Sequence, residues 1–178
     1  MAVSGPIVRR AEPPDYPAVA YIRARSWQVA YAALMPAELL ASLTEPETLR
    51  TRAEAMATGT MAETWVALID GDVIGFVAIG DKRTDTPPDP LRGEVYALYV
   101  LPEHWGDGAG HALMNAATSQ LAARGFGIVS LWALAGNTRG IAFYERQGFE
   151  PNGERMISSH DGLPSVHSSS GSWAGIHS

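Results

Sequence analysis

Apolar and polar positions recur with changing period along the chain and divide it into short elements. "PIVRRAE" (6–12) reads as a strand. Pro13, Pro14 and Asp15 then set up a helix start, and "YPAVAYIRARSWQVAYAAL" carries apolar residues at helical spacing, which predicts a helix from about Asp15 to Ala33. Pro36 opens a second helical stretch through "AELLASL", and "EPETLRTRAEAMA" continues it or forms a third helix that stops at Gly59. From Glu63 the period changes to two. "ETWVALIDGDVIGFVAIG" alternates around Asp70-Gly71, a strong hairpin signal, and predicts two antiparallel strands. "TDTPPDP" reads as a rigid polar loop before "GEVYALYV", a strand from about Arg92 to Val100 that Pro102 cuts off.

The second half alternates strand and helix. "HWGDGAGHALMNAA" (104–117) packs Gly106, Gly108 and Gly110 into five positions and leads into a helix that ends at Gly125. The apolar strand "GIVSLWAL" follows, with Trp132 read as core, and then a short helix "TRGIAFYERQ" stopped by Gly148. Together these make a βαβα unit. The end, "SSHDGLPSVHSSSGSWAGIHS", allows a hairpin about Asp161-Gly162.

Composition bounds the class. With 178 residues, 46% of them apolar, the chain is expected to form a single domain over 1–178, with about 168–178 as a disordered tail. Zero cysteines exclude a disulfide framework, a thiolate zinc site and a cysteine nucleophile. His160, His167 and His177 lack close paired spacing, so no metal site is expected. The 13 basic and 19 acidic residues leave a net charge of −6, and the longest basic clusters are pairs such as Arg9-Arg10, which argues against nucleic acid as a partner. Neither a signal-peptide core nor a membrane-length apolar run is present, so a soluble, cytoplasmic protein with no membrane partner is expected.

The glycines are the first chemical clue. The dinucleotide fingerprint G-x-G-x-x-G fails because position 111 is histidine and no acid follows at ribose distance in "GFGIVSLW". The phosphate loop G-x-x-x-x-G-K-[ST] fails because no lysine follows. What remains is a loop whose amides, unscreened by side chains, converge on a helix N-terminus that favours an anion, a phosphate or pyrophosphate. The alternative is a tight strand-to-helix turn and nothing more.

A second constellation, Asn137, Tyr144, Gly148 and Phe149, lies in "NTRGIAFYERQGF". With the strand "EVYALYV" and the glycine loop, it closely resembles the GNAT superfamily of acyl-CoA-dependent N-acetyltransferases. The family's pyrophosphate loop, Q/R-x-x-G-x-G/A, matches Trp105, Gly108 and Gly110, and its second motif, N-x-x-A-x-x-F-Y-E-x-x-G-F, matches Asn137 to Phe149. The resemblance covers roughly Glu63 to Phe149. Three departures stand out: Trp105 replaces glutamine or arginine, Asp107 stands where a basic residue is frequent, and Gly140 replaces a helix alanine. Asp107 is expected to point to solvent, and Gly140 to weaken its helix by up to ~1 kcal/mol.

The resemblance implies an α/β fold with a central mixed, mostly antiparallel sheet flanked by helices and splayed strands at the acyl-CoA site. It implies acetyl-CoA as the acyl-donor co-substrate. The pantetheine arm would run along Leu98, Tyr99 and Val100, and the pyrophosphate along Trp105, Gly106, Asp107, Gly108, Ala109, Gly110 and His111, with Asn137 and Tyr144 adding contacts. An attacking amine must be neutral, yet its ordinary pKa is near ~10.4. Glu94 is the candidate general base, or else an exposed strand carboxylate. Tyr144 is the candidate acid for the departing thiolate, or else an aromatic packing beside Ile141. Asn137 doubles as a helix N-cap. Trp27 and Tyr31, four residues apart, either wall the acceptor pocket or form a core stripe. The acceptor is a small-molecule amine or a peptide N-terminus. The rival reading is a non-catalytic acyl-CoA-binding or interaction module of the same fold. Homodimers are common in the family, although no patch of this sequence demands one.

Overall fold

Asp70 at φ 51° and Gly71 at φ 92° both take the left-handed backbone of a primed hairpin turn, which matches the twist of the strands it joins. These are β2 (Glu63–Ile69) and β3 (Asp72–Asp81). They belong to a computed structural model that describes residues 5–59, 62–82, 89–157 and 164–170. The remaining strands are β1 (Ile7–Arg10), β4 (Arg92–Val100), β5 (Ile128–Leu134), β6 (Glu150–Ile157) and β7 (Pro164–Ser170). The helices are α1 (Tyr16–Ala30), α2 (Ala37–Ser42), α3 (Pro46–Thr58), α4 (Ala109–Ala123) and α5 (Thr138–Arg146).

The strands hydrogen-bond in the order β1-β2-β3-β4-β5-β7-β6. β4 and β5 run parallel, with Glu94 opposite Ser130, whereas β1 on β2, β5 on β7 and β6 on β7 are antiparallel. The mixed, mostly antiparallel sheet is therefore the one expected. No helix among the described residues is long and apolar enough to cross a membrane. The polar loop at 84–90 and the tip of the final hairpin at Asp161-Gly162 lie largely or wholly outside the described residues.

Two corrections concern element ends. Helix α1 stops at Ala30 instead of Ala33: the Tyr31 carbonyl turns to accept from Leu34 and Met35, and Pro36 follows. Ser168, Ser169 and Ser170, read as the start of a tail, belong to β7, where Ser168 faces Leu131 and Ser170 faces Val129 across the ladder. Serine has little strand propensity of its own. Backbone pairing with β5 on one side and β6 on the other overrides it.

The described residues fall into two compact units. The first comprises those of Met1–Ala78 and Ala97–Ala117. Its core packs Val19 and Ile22 of α1 against Val66 and Phe76, with Met56, Ala97, Tyr99 and Leu101 around them. Asp15, only 7% exposed, anchors the start of α1. Arg9 grips it with both guanidinium nitrogens, at 2.7 and 2.9 Å, and the Glu12 amide donates at 2.7 Å. The Arg9 hydrogen bonds hold the carboxyl below its ordinary pKa. A depressed folded pKa adds stability that is present above the unfolded value, about 3.9, and is lost as pH falls through the folded one. Asp15→Asn should therefore lower the unfolding midpoint at neutral pH and cost progressively less below about pH 4. Thermal melts of both proteins across that range check this, and a gap that does not narrow in acid refutes it.

The second unit comprises the described residues of Ile79–Tyr96 and Thr118–Ser178. Val95, Leu121, Val129, Leu131 and Phe149 are buried within it. Gly80 is required by packing: a Cβ there would collide with the Tyr96 ring, whose hydroxyl donates to the Asp81 carbonyl at 2.5 Å. The Ser130 hydroxyl donates to the Gly93 carbonyl at 3.2 Å inside the same unit.

Candidate active site

The end of β4 is held in place from two sides. The Trp105 indole Nε1 folds back to donate to the Val100 carbonyl at 2.8 Å, and the Ser26 hydroxyl of α1 donates to the same oxygen at 3.1 Å. Both lone pairs of that carbonyl are then engaged. Trp105, a departure at the sequence level, thus acts as a clamp between the strand end and the loop that follows. Nothing local in the sequence signals this, because the bond depends on the chain turning through Pro102–His104.

Beyond the clamp, Gly106 at φ 101° and Gly108 at φ 84° hold left-handed backbone that side chains resist. A Cβ at either would meet nothing within 4 Å, so this backbone faces open space. The Gly108 carbonyl accepts from the Ala112 amide at 3.0 Å, which makes Gly108 the N-cap of α4. The expectation of three loop glycines holds for two. Gly110 is the second residue of α4, after a buried Ala109, and contributes a first-turn amide instead of a bend. The amides of Ala109 and Gly110 open α4, at the positive end of the helix dipole. The flanking side chains are drawn aside. Asp107 is exposed, as expected, with its Oδ2 3.1 Å from His104 Nδ1, and His111 Nε2 sits 3.0 Å from Asn115 Nδ2. This arrangement can hold an anionic oxygen against backbone donors.

In the same unit, Trp27 and Tyr31 meet edge to face at 5.1 Å. Tyr31 is 5% exposed and belongs to the core, whereas Trp27 lines a recess with Arg23, Ala24, Leu43 and Arg52. Tyr31 therefore takes the core reading. Leu98 and Tyr99 are half-buried, the Tyr99 ring lying 5.8 Å from Phe76.

In the second unit, Glu94 is 1% exposed, which removes the reading as an exposed strand carboxylate. Asn137 is the N-cap of α5, its Oδ1 accepting from the Gly140 amide at 3.0 Å. Gly140 consequently reverses its expected role: a Cβ there would lie 2.5 Å from Asn137 Nδ2, so alanine would displace the cap instead of strengthening the helix. Tyr144 is half-buried between Phe143 and Phe149, with ring centroids 5.5 and 6.3 Å away, and its carbonyl accepts from the Phe149 amide. Among the described residues, no group of three or more His, Asp or Glu could hold a metal ion. His160 and His177 lie outside them.

The sequence profile of the Acetyltransferase (GNAT) family matches residues 19–149. The chain belongs to this family. It is an acyltransferase of the N-acetyltransferase kind. An uncharacterized N-acetyltransferase of Bacillus subtilis, YuaI, is 30% identical over 139 residues, which span 78% of this chain and 76% of that protein. Mycothiol acetyltransferase of Streptomyces griseus is 38% identical over 80 residues, 45% of this chain but only 24% of that protein's length. Among solved structures, the PaiA N-acetyltransferase of Thermoplasma acidophilum, crystallised with coenzyme A, superposes with a TM-score of 0.71 at 19% identity, covering 94% of this chain and 99% of that one. At that identity the likeness concerns the GNAT fold.

Proposed function

We propose that this cytoplasmic GNAT enzyme binds acetyl-CoA and transfers its acetyl group directly to a primary amine. The observation that carries the reading is the Trp105–Gly108 loop at the start of α4, where left-handed glycines in open space precede the first amides of a 15-residue helix. Such a cradle suits a pyrophosphate. The donor's pantetheine runs along the backbone of Leu98 to Val100. Because the Val100 carbonyl already accepts two hydrogen bonds, a contact at that residue falls to its N–H.

The amine's lone pair attacks the thioester carbon, backbone donors stabilise the developing oxyanion, and the carbon–sulfur bond then breaks. Glu94 takes the proton the amine must lose, directly or through water. Tyr144 protonates the departing thiolate: a phenol, with an ordinary pKa near ~10, keeps its proton at neutral pH and can give it to a thiolate. Asn137 spends its Oδ1 on the α5 cap, which leaves its Nδ2 to donate to a pantetheine carbonyl.

Thermal unfolding tests the binding step, with acetyl-CoA, CoA, NADH and ATP at matched concentrations. At a hundred times its dissociation constant a ligand adds ~2.7 kcal/mol, a rise of roughly 5–10 °C for a chain of this size. The rise is expected with acetyl-CoA and CoA alone. No rise with either refutes the loop assignment. A rise without acetylation of any amine or peptide across a broad panel favours the non-catalytic reading.

A further inference from the structure

We propose that the recess between α1 and α3 binds a carboxylate, and that the acetyl acceptor is a small amine carrying one. This rests on the acetyl-transfer reading and names its substrate class.

The recess is lined by Arg23, Ala24, Trp27, Leu43 and Arg52 and is a small hollow partly open to solvent. Its polar chemistry is one-sided. Arg9, Arg50, Arg92 and Arg124 each have an aspartate or glutamate oxygen within 2.8 Å. Neither Arg23 nor Arg52 has an ion-pair partner among the described residues. Arg23 and Trp27 sit one turn apart on α1, and the guanidinium carbon lies 4.7 Å from the indole ring centroid, a cation–π contact that fixes where the charge is presented. Arg52 comes from α3, half-buried, and burial together with the neighbouring Arg23 charge pushes its pKa below the usual value.

Trp27 also carries a donor without an acceptor. Trp27 Nε1 is buried and has no hydrogen-bond partner among the described residues. A buried, unsatisfied donor is unfavourable, and so is a half-buried guanidinium beside a like charge. The like charges call for one ligand chemistry, a planar anion that accepts from guanidinium forks. The position suits an acceptor site: Ser26, the neighbour of Trp27 on α1, donates to the Val100 carbonyl at 3.1 Å, so this helix lies against the end of β4 assigned to the pantetheine arm. An amine tethered to the bound carboxylate by a few carbons would thereby be held near that strand.

The test compares L-amino acids with their C-terminal amides as acceptors, reading release of CoA from acetyl-CoA, with calorimetric binding of the same compounds to the protein–CoA complex. The best acid should exceed its amide by about tenfold or more in kcat/KM, mainly through KM, since charge-assisted hydrogen bonds at a desolvated site carry that much discrimination. In Arg52→Gln and Arg23→Gln that preference should shrink to within about twofold, with partial retention in Arg52→Lys and the acetyl-CoA-induced rise in unfolding midpoint kept in all three. Equal use of acid and amide by the parent, or a preference that survives both glutamine variants, overturns the proposal while acetyl transfer stands. If nothing is acetylated but acids bind in an Arg52-dependent way, the recess assignment holds and the transfer reading falls. If acids neither bind nor turn over, the recess assignment falls.

Discussion

Gly108→Val should abolish most acetyl-CoA binding, raising the dissociation constant by at least about tenfold, or ~1.4 kcal/mol. Two effects combine at this position. Gly108 sits at φ 84°, where a non-glycine residue costs roughly 1–2 kcal/mol and a β-branched one more. The added side chain would also project from backbone that now faces open space at the N-cap of α4, where the pyrophosphate is proposed to lie. Gly108→Asn separates the two, because asparagine tolerates left-handed backbone and is a good N-cap. The asparagine variant should fold normally and lose less affinity than the valine variant. Acetyl-CoA titrations followed by calorimetry read both. Parent-like binding by the valine variant would show that the loop is only a turn.

Tyr144→Phe should lower kcat by roughly 10²–10⁴ while the dissociation constant for acetyl-CoA stays within about twofold. The phenyl ring keeps the contacts with Phe143 and Phe149, so the variant removes one hydroxyl and little packing. A general acid acts only as the carbon–sulfur bond breaks, and its loss therefore falls on turnover more than on ground-state binding. The loss should shrink as pH rises, because the CoA thiol's ordinary pKa is near ~8.5 and above it the departing thiolate needs no proton. Single-turnover rates with one amine at several pH values measure this. A kcat within twofold of the parent would remove Tyr144 from the chemistry and leave it as an aromatic spacer.

The Trp105 clamp bears on how the loop tolerates its departures from the family pattern. A glutamine or arginine would offer its polar end to the loop or the ligand, whereas the indole gives its N–H to the Val100 carbonyl. Asp107 would repel a pyrophosphate if it turned inward. It is exposed beside His104, and the loop keeps its backbone donors without an opposing charge among them.

Local physics made much of the architecture readable. Asp70-Gly71 tolerates the left-handed turn that joins β2 to β3, Gly125 and Gly148 end α4 and α5 in left-handed backbone, and Pro36 and Pro46 mark the starts of α2 and α3. The glycine loop was legible for the same reason, since a bare backbone before an alanine-rich helix needs no distant partner to be recognised. Contacts between remote segments were not. Ser26 and Val100 are 74 positions apart, and their shared hydrogen bond has no trace in either neighbourhood. The serine run at 168–170 looked like a tail because its propensity is weak, yet β5 and β6 recruit it into the sheet. Gly140 looked like a defect until Asn137 was seen to occupy the space a methyl would need. Sequence alone therefore determined the elements, their punctuation and the family's motifs, because turns, caps and periodicity act over a few residues. Only the tertiary structure decided that Glu94 is buried, that Trp105 clamps a strand, and that Arg23 and Arg52 share one recess. Burial and charge pairing depend on which distant side chains arrive beside them, and local pattern does not encode that arrival.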